Sequence, residues 1–512
     1  MPNNLTTNTI CALATPAGGA IGVVRVSGSE AIKIADHIFK AKSGRKLANA
    51  KGNTLHYGEI VNHNRETIDD VMASVYRAPF SYTGEDAVEF SCHGSQYILQ
   101  EVLHLLIQNG CRQAEPGEYT QRAYLNGKMD LSQAEAVADL IASTNRATHK
   151  MAISQLKGHF SNELVLLRDR LLKMTSLLEL ELDFSDHEEL EFADRKQLLE
   201  LACQIDEKIT SLIQSFETGN ALKNGIPVAI VGKTNVGKST LLNRLLHEER
   251  AIVSDIHGTT RDTIEDTTLI NGVAFRFIDT AGIRKTEDEV ERIGIDRTYQ
   301  KIDQATVVVW MIDTSPSALE QENMKSKCIG KNVILVHNKV DIARTHSPSY
   351  PQERLHGFQE RSHCIKEKKE ALSYSKKTQL YSKERSDSDN ASGSPILYPS
   401  PTQLEWIYDE VFISAKQGFN ISNLEAAIYK ASNIPNISEN DIIVTNARHY
   451  DALLHAKQDI IRVQDALHAN LSGDLVSEEL HICLDQLSEI TGGQITPNEV
   501  LANIFKYFCI GK

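Results

Sequence analysis

The chain has 512 residues, 41% hydrophobic and 24% charged, with 54 basic against 68 acidic side chains and a net charge of −14. That length exceeds what a single core fills, so about three domains are expected. No run approaches the ~20 apolar residues of a membrane span, and the negative balance excludes broad electrostatic binding of nucleic acid while leaving a local basic groove open.

The opening MPNNLTTNTICALATPAGGA lacks the basic and sustained apolar regions of an export signal, so a cytoplasmic location without membrane attachment is expected. Eight cysteines, at 11, 92, 111, 203, 328, 364, 483 and 509, form no CxxC pair. This speaks against a disulfide framework or zinc ribbon and for a reducing compartment. From Thr9 to about Asn126 the pattern is mixed: ICALAT and IGVVRVSG read as strands around a Gly-Gly turn, and YILQEVLHLLIQNG as a helix ending at Gly110. Residues 1–126 are therefore an α+β module. From Asp130 to about Phe216, LSQAEAVADLIAS and ELVLLRDRLLKMTSLLELEL carry helical spacing with few breakers, which predicts long packed helices.

The period then changes. IPVAIVG, VAFRFID, TVVVWMID and NVILVHN are short apolar runs separated by helical stretches, the pattern of buried parallel strands in an α/β domain. Helical spacing returns after about Asn436 in HYDALLHAKQDIIRVQDALHANL and VSEELHICLDQLSEI. The economical reading is one helical domain, 127–220 and 436–512, interrupted by an α/β domain at 221–435; two separate helical domains are the alternative. Residues 343–403 stand apart. Ser, Lys, Glu and Pro dominate there, too little apolar surface to offset ordering, so a solvated excursion is expected in preference to a basic RNA-binding arm.

VGKTNVGKST, Val231–Thr240, follows a strand and precedes the helical LLNRLL, the context that a Walker A loop requires. Gly232 and Gly237 let backbone amides approach phosphates, Lys238 would neutralise β/γ-phosphate charge, and the Ser239 hydroxyl would meet Mg²⁺. NKVD, with Asn338, Lys339, Val340 and Asp341, supplies a carboxylate that can accept from guanine N1–H and its exocyclic amine, a pair adenine lacks. SAK (Ser414, Ala415, Lys416) can close over the base. In GTTRD, Thr260 can complete the Mg²⁺ shell; in DTAG (Asp279, Thr280, Ala281, Gly282) the aspartate can hold a metal-bound water and the Gly282 amide can meet the γ-phosphate. GTP and Mg²⁺ follow. Ile283 stands where many GTPases carry a water-orienting Gln, and an aliphatic side chain cannot hold a water.

GGAIGVVRVSG, SYTGEDAVEFSCHG, PGEYTQRAYLNGKMDLSQAEAVADLI, DTAGIRKTEDEVERIGI and the terminal FCIGK resemble signatures of the MnmE (TrmE) family of bacterial tRNA-modification GTPases, from about residue 8 to the end. Only 343–403 departs, being longer than the family usually has there. The resemblance implies an N-terminal folate-binding domain that also forms a homodimer, and a helical domain interrupted by a G domain. It implies work with the flavoprotein MnmG, which carries FAD and NADH, in a heterotetramer-type complex. Together they would install an aminomethyl or carboxymethylaminomethyl group at C5 of the tRNA wobble uridine. The one-carbon unit would come from 5-formyl- or 5,10-methylene-tetrahydrofolate, and the nitrogen from glycine or ammonium. Arg25, Glu89, Lys128 and Lys512 match the folate-binding positions. Their chemistry suits it: cations for glutamate carboxylates, a carboxylate for the donor-rich pterin edge.

Phosphoryl transfer needs a positioned water and extra positive charge. By resemblance, Glu291 in DEVER is the water-activating residue, acting through a bridging water; its acidic neighbours make it indistinguishable on spacing alone. Asn235 matches a K⁺-coordinating position, with the loop Ser254, Asp255, Ile256, His257, Gly258 and Thr259 around the ion and the Ser254 and Ile256 carbonyls and Thr259 completing its shell. Val236 and Thr240 join the nucleotide-contacting P-loop. Potassium-stimulated hydrolysis coupled to G-domain pairing is expected. Cys509 in the tail reads as a group at the modification centre or as a buried free thiol; CIGK makes a poor prenylation signal. The competing function is a GTP-controlled RNA-binding switch, such as a ribosome-assembly GTPase, and a scaffold with a degenerate site is disfavoured by intact Lys238, Ser239, Asp279 and Asp341.

Overall fold

The computed structural model describes residues 8–183, 195–248, 266–278, 302–341, 404–435 and 441–493, with Ile504, Phe505, Phe508 and Gly511. They fall into two compact units: residues 1–224 with 435–512, and residues 225–434.

The first unit opens on a sheet of strands β1 (Ile10–Leu13), β2 (Ile21–Ser27), β3 (Phe39–Ala41), β4 (Thr54–Val61), β5 (Thr67–Tyr76), β6 (Ala87–His93) and β7 (Arg112–Gln113), in the order β3-β4-β5-β6-β2-β1-β7. All neighbours are antiparallel except β1 and β7. Alternation decides the faces. Val24, Val26, Val71, Ala73, Val75, Val88 and Phe90 point to a core shared with helices α1 (Ala31–Ile38) and α2 (Gln96–Gln108). The opposite face carries Arg25 and Glu89, directly paired across β2 and β6, and leaves Ile21, Leu55 and Tyr57 exposed.

Helices α3 (Glu118–Leu125), α4 (Leu131–Ala142), α5 (Arg146–Leu156), α6 (His159–Asp183) and α7 (Arg195–Asn224) follow. The first part of this region is more broken than its spacing suggests. Asp130 and Asn145 form capping boxes with Gln133 and Thr148, so each starts a new helix. The second part does form long helices. With two helices from the far end of the chain, numbered below, α6 and α7 enclose one core that includes Leu171, Met174, Ile205, Ile209, Leu453, Ile460, Leu480 and Leu487. A single helical domain interrupted by an insertion is therefore the observed arrangement. Entry and exit of the insertion are tied: the Val444 amide donates to Ser215 Oγ at 3.0 Å, and a Cβ at Gly219 would lie 2.2 Å from the Val444 carbonyl, so only glycine permits this approach.

The inserted unit is built on β8 (Ile226–Gly232), α8 (Lys238–Glu248), β9 (Asp266–Ile270), β10 (Val273–Phe277), β11 (Val307–Ile312), α9 (Ala318–Lys327), β12 (Asn332–His337), β13 (Asp409–Phe412) and α10 (Ile421–Ala431). The sheet order is β13-β12-β11-β8-β10-β9, parallel throughout except for the β9–β10 hairpin. β11 is buried along its whole length, which is why it reads as an unbroken apolar run. The edge strand β9, not anticipated from the sequence, turns through Asn271-Gly272, both at positive φ as a tight hairpin requires. The chain then returns to the first unit as α11 (Ala447–His468) and α12 (Gly473–Thr491). Phe505 buries itself beside Leu131 and Ala134. The switch segments, the 343–403 excursion, Glu291, Cys509 and Lys512 lie outside the described residues.

One charged network ties α3 to the sheet. Arg122, 2% exposed, bonds to Glu118 and Glu85, and Glu118 also takes Arg112 at 2.5 Å. Burial pushes the Glu118 carboxyl up, but bonds from Arg112, the Glu115 amide and Arg122 outweigh it and hold it below the ordinary value of 4.5. A lowered folded-state value stabilises the fold above the ordinary value and is lost as pH falls through the lowered one. Thermal melts should therefore show stability dropping as pH falls below about 4.5, with Glu118→Gln flattening that part of the profile. Arg122→Met should cost about 3–5 kcal/mol at neutral pH, because it removes the buried guanidinium that Glu85 and Glu118 share and leaves Glu85 without its ion-pair partner.

Candidate functional site

In the inserted unit, three motifs meet at the C-terminal ends of parallel strands, where ligands bind in open α/β sheets. The P-loop leaves β8 at Gly232 and enters α8 at Lys238, so the first-turn amides of α8 face the loop's mouth. Asn235 takes φ +60° and Gly237 φ +103°. Lys238 Nζ reaches back over the loop to the carbonyls of Gly232 at 2.7 Å and Lys233 at 2.6 Å. Asn235, Ser239 and Thr240 are exposed, whereas Val236 is buried beneath the loop. Lys233 forms a 2.6 Å ion pair with Glu320 of α9.

Asn338 joins the three motifs. Its Nδ2 donates to the Val236 carbonyl at 2.7 Å, and its Oδ1 accepts from the Ala415 amide at 2.9 Å. The side chain passes so near the P-loop that a Cβ on Gly237 would lie 2.3 Å from Nδ2. Both bonds are buried, which makes losing either expensive. Lys339, at φ +64°, pairs with Asp313 at the end of β11, at 2.9 Å. The Val340 amide bonds to the Ile413 carbonyl at 3.3 Å, and Asp341 follows, half-buried. Ser414 Oγ accepts from the Gln417 amide at 3.2 Å, and Arg244 of α8 donates to the Lys416 carbonyl at 3.1 Å. Asn338, Lys339, Val340, Asp341, Ser414, Ala415 and Lys416 are thus assembled beside the P-loop. Of the remaining nucleotide and metal residues expected, those from Ser254 to Thr260 and from Asp279 to Gly282 lie outside the described residues.

Sequence reasoning missed a support at this site. His337, just before Asn338, is 2.7 Å from Glu410 and stacks on Phe412 with ring centres 4.3 Å apart; burial lowers its pKa. A histidine inside a strand run gave no signal of this partner 73 residues away.

A second cleft lies on the N-terminal sheet. It encloses about 180 Å³ between Arg25, Ser27, Tyr76, Ser81, Tyr82, Thr83, Ala87 and Glu89. Arg25 Nε bonds to Glu89 Oε1 at 2.7 Å, and the guanidinium carbon lies 5.6 Å from the Tyr82 ring centre and 5.5 Å from that of Tyr119. Arg25 Nη1 donates to the Gly511 carbonyl at 3.2 Å, so the C-terminal tail reaches this cleft. Lys128 Nζ bonds to the Pro79 carbonyl at 3.0 Å, at the base of the loop that forms the cleft wall. Burial pushes the Tyr82 hydroxyl up, and pushes the Cys92 thiol, on the core face, up to about 12. That thiol is no nucleophile at neutral pH.

A Walker A loop followed by a helix, an NKxD aspartate and an SAK turn on one parallel sheet define a guanine-nucleotide-binding P-loop protein. Comparison with known families makes this narrower. Residues 9–128 match the model of the GTP-binding protein TrmE N-terminus, and residues 131–509 that of the MnmE helical domain. The tRNA modification GTPase MnmE of Bacteroides fragilis is 51% identical over 510 residues, covering 99% of each chain. That of Bacteroides thetaiotaomicron is 50% identical with the same coverage. Among solved structures, the FeoB G-domain of Methanococcus jannaschii covers 41% of this chain and 98% of its own at 19% identity and a TM-score of 0.22, so the assignment rests on the full-length relatives. The chain belongs to the MnmE family of tRNA modification GTPases. No helix among the described residues is long and apolar enough to cross a membrane.

Because Asn338 braces both loops around the nucleotide, Asn338→Ala should weaken GDP binding by about tenfold or more, in line with two lost buried bonds. Titration with a fluorescent GDP analogue, with melting curves to confirm folding, measures this.

Proposed function

We propose that the chain is a potassium-stimulated GTPase that, with the flavoprotein MnmG, modifies C5 of the tRNA wobble uridine using a one-carbon unit from tetrahydrofolate. The observation that carries the reading is the pairing of two sites in one chain: a guanine-nucleotide loop set braced by Asn338, and a separate cleft where Arg25, Glu89 and the tail carbonyl of Gly511 converge. A simple nucleotide switch has no use for the second.

In the nucleotide site, Lys238 and the α8 amides bind phosphate, Asp341 reads guanine, and Asn338, which accepts from the Ala415 amide, holds the SAK turn beside the P-loop. Ser239, at the start of α8, with Thr260, is suited to hold Mg²⁺, which supplies positive charge to the phosphates. Asn235, exposed at a left-handed turn, is suited to hold K⁺ together with Ser254, Ile256 and Thr259, and this ion takes the place of an arginine finger. Asp279 and Gly282 sense the γ-phosphate. Glu291 activates water through a bridging water, the role that Ile283 cannot fill.

In the N-terminal cleft, Arg25, Lys128 and Lys512 meet the anionic end of 5-formyl- or 5,10-methylene-tetrahydrofolate, and Glu89 meets its donor edge. The exposed Ile21, Leu55 and Tyr57 on the same sheet face support a homodimer through this module. Cys509, two residues before Gly511 in the sequence, is taken as a group of the modification centre. We take the domains as 1–126, 127–220 with 436–512, and 221–435.

Phosphate release in KCl and NaCl at equal ionic strength tests the hydrolysis mechanism. Turnover should be several-fold to tenfold faster in KCl, about 1 kcal/mol or more of barrier, and Glu291→Ala should keep GTP binding while losing most turnover. Equal rates in the two salts would count against the K⁺ role, and preserved turnover against Glu291.

A further inference from the structure

Between His37 and Gly58 the sequence carries Lys40, Lys42, Arg45, Lys46 and Lys51 and not one acidic residue, in a chain whose net charge is −14. All five cations are exposed. They run from β3, the edge strand of the N-terminal sheet, through a single 3-10 turn at Leu47–Asn49 to the start of β4. Lysines at a sheet edge ordinarily deter pairing with another chain, which accounts for the two at β3. Lys40 stands opposite Glu59 in the strand pair, and Lys42 pairs with Glu59 and, at 3.8 Å, with Asp70. Arg45, Lys46 and Lys51 lie beyond the strand, where there is no edge to protect, and form no ion pair among the described residues. The loop that carries them is pinned from beneath. Leu47 is fully buried and its amide donates to Asp36 Oδ1 at 2.5 Å. The carbonyls of Ala48 and Ala50 accept from Arg77 Nη2 at 2.7 and 3.3 Å, Arg77 Nη1 pairs with Asp86 at 3.3 Å, and the Asn53 amide donates to the Val75 carbonyl at 2.8 Å. Tyr76, between Val75 and Arg77, lines the Arg25–Glu89 cleft. The basic loop and the cleft are therefore neighbours at one end of β5.

We infer that the loop of Arg45, Lys46 and Lys51 is a docking surface for the phosphate backbone of tRNA, placed so that an RNA lying on it passes beside the cleft. This rests on the tRNA reading of the chain and goes beyond it, since that reading uses none of these residues. Two observations favour RNA over an acidic protein. From Lys42 to Asn53 no large hydrophobic side chain is exposed, and the uncharged polar residues that accompany the cations at the surface are Ser43, Asn49 and Asn53. Protein interfaces centre on apolar and aromatic anchors and are depleted in lysine, whereas phosphates are held by cations and small polar side chains without such an anchor. The second is the charge distribution. Cations gathered without acids in a chain of opposite net charge give a local field that a polyanion gains from by releasing counterions, and the rest of the surface repels it. Because the backbone of the loop is already bonded to the body of the module, little ordering remains to be lost when RNA binds.

Fluorescence anisotropy of the full-length protein with an unmodified tRNA bearing a wobble uridine, at several KCl concentrations, tests this. Combining Arg45→Gln, Lys46→Gln and Lys51→Gln should weaken binding about tenfold or more and lower the slope of log Kd against log [KCl] by about 2, since each phosphate contact contributes about 0.7–0.9. GDP affinity and the melting temperature should stay unchanged. Arg45→Lys, which keeps the charge, should keep the affinity. Arg168→Gln, Arg170→Gln and Lys173→Gln together remove the same charge from the exposed face of α6 and should leave tRNA binding as it was. Equal losses from the two triple variants would reduce the effect to net charge and overturn the inference. Undiminished tRNA affinity in the loop variant would overturn it as well, and a loss of MnmG binding in its place would assign the loop to a protein face. A wild type that binds no tRNA would overturn the inference and leave the nucleotide site standing. A tRNA that binds through the loop but is never modified at C5 of its wobble uridine would overturn the modification reading alone.

Discussion

Two helices before the insertion and two after it must share one core. That closure constrains everything else in the first unit. α6 and α7 lack a complete apolar partner surface until α11 and α12 return, and residues such as Met174, Ile209, Leu453 and Leu487 are buried only when they do. Because each fully buried aliphatic side chain contributes about 1.5–3 kcal/mol, the bundle holds the two ends of the insertion together. The Ser215–Val444 bond and the close approach at Gly219 are its local expression. The same closure brings the end of α12 back to the N-terminal module: Tyr124 donates to the Gly492 carbonyl, Arg448 bonds to Glu135 and to the carbonyls of Glu489 and Ile490, and Phe505 packs on α4. From there the tail reaches Arg25.

Both candidate sites depend on buried polar groups with complete sets of partners. In the inserted unit, one asparagine side chain satisfies a P-loop carbonyl and the amide of the SAK turn, so phosphate and base elements cannot shift independently. In the N-terminal module, Arg122 carries charge into a core position and Glu118 and Glu85 neutralise it. Glu135 repeats the pattern at the helical junction. Burial pushes its carboxyl up, but His449 and Arg448 outweigh this and hold it below the ordinary range. Such groups cost more when broken than they contribute when whole, which fixes geometry more firmly than it adds stability.

Much of the architecture was legible because period and burial are linked. The apolar runs of β8, β11 and β12 announce strands buried on both sides, and the spacing in α11 and α12 announces one buried stripe each. The P-loop was legible because Lys238 and Ser239 follow Gly237 between a strand and a helix. β9 was not, since its five residues alternate too briefly to stand out, although the Asn271-Gly272 turn marked it. The breaks at Asp130 and Asn145 were hidden because capping acts through side-chain bonds, not through apolar spacing. The N-terminal cleft could not be found by spacing at all. Arg25 and Glu89 are 64 residues apart, and Arg122 and Glu85 are 37 apart. Each reads locally as an ordinary charge until the sheet register and α3 bring them together; only family resemblance singled out the first pair, and nothing singled out the second.

In the function proposed above, one chain couples GTP hydrolysis to a one-carbon modification of tRNA. The most direct test combines the purified protein with the flavoprotein MnmG, unmodified tRNA, 5,10-methylenetetrahydrofolate, glycine, GTP and K⁺, followed by mass analysis of the wobble nucleoside. The account predicts a carboxymethylaminomethyl uridine that forms with GTP and is absent with a non-hydrolysable analogue. Unmodified uridine alongside undiminished GTP consumption would contradict it.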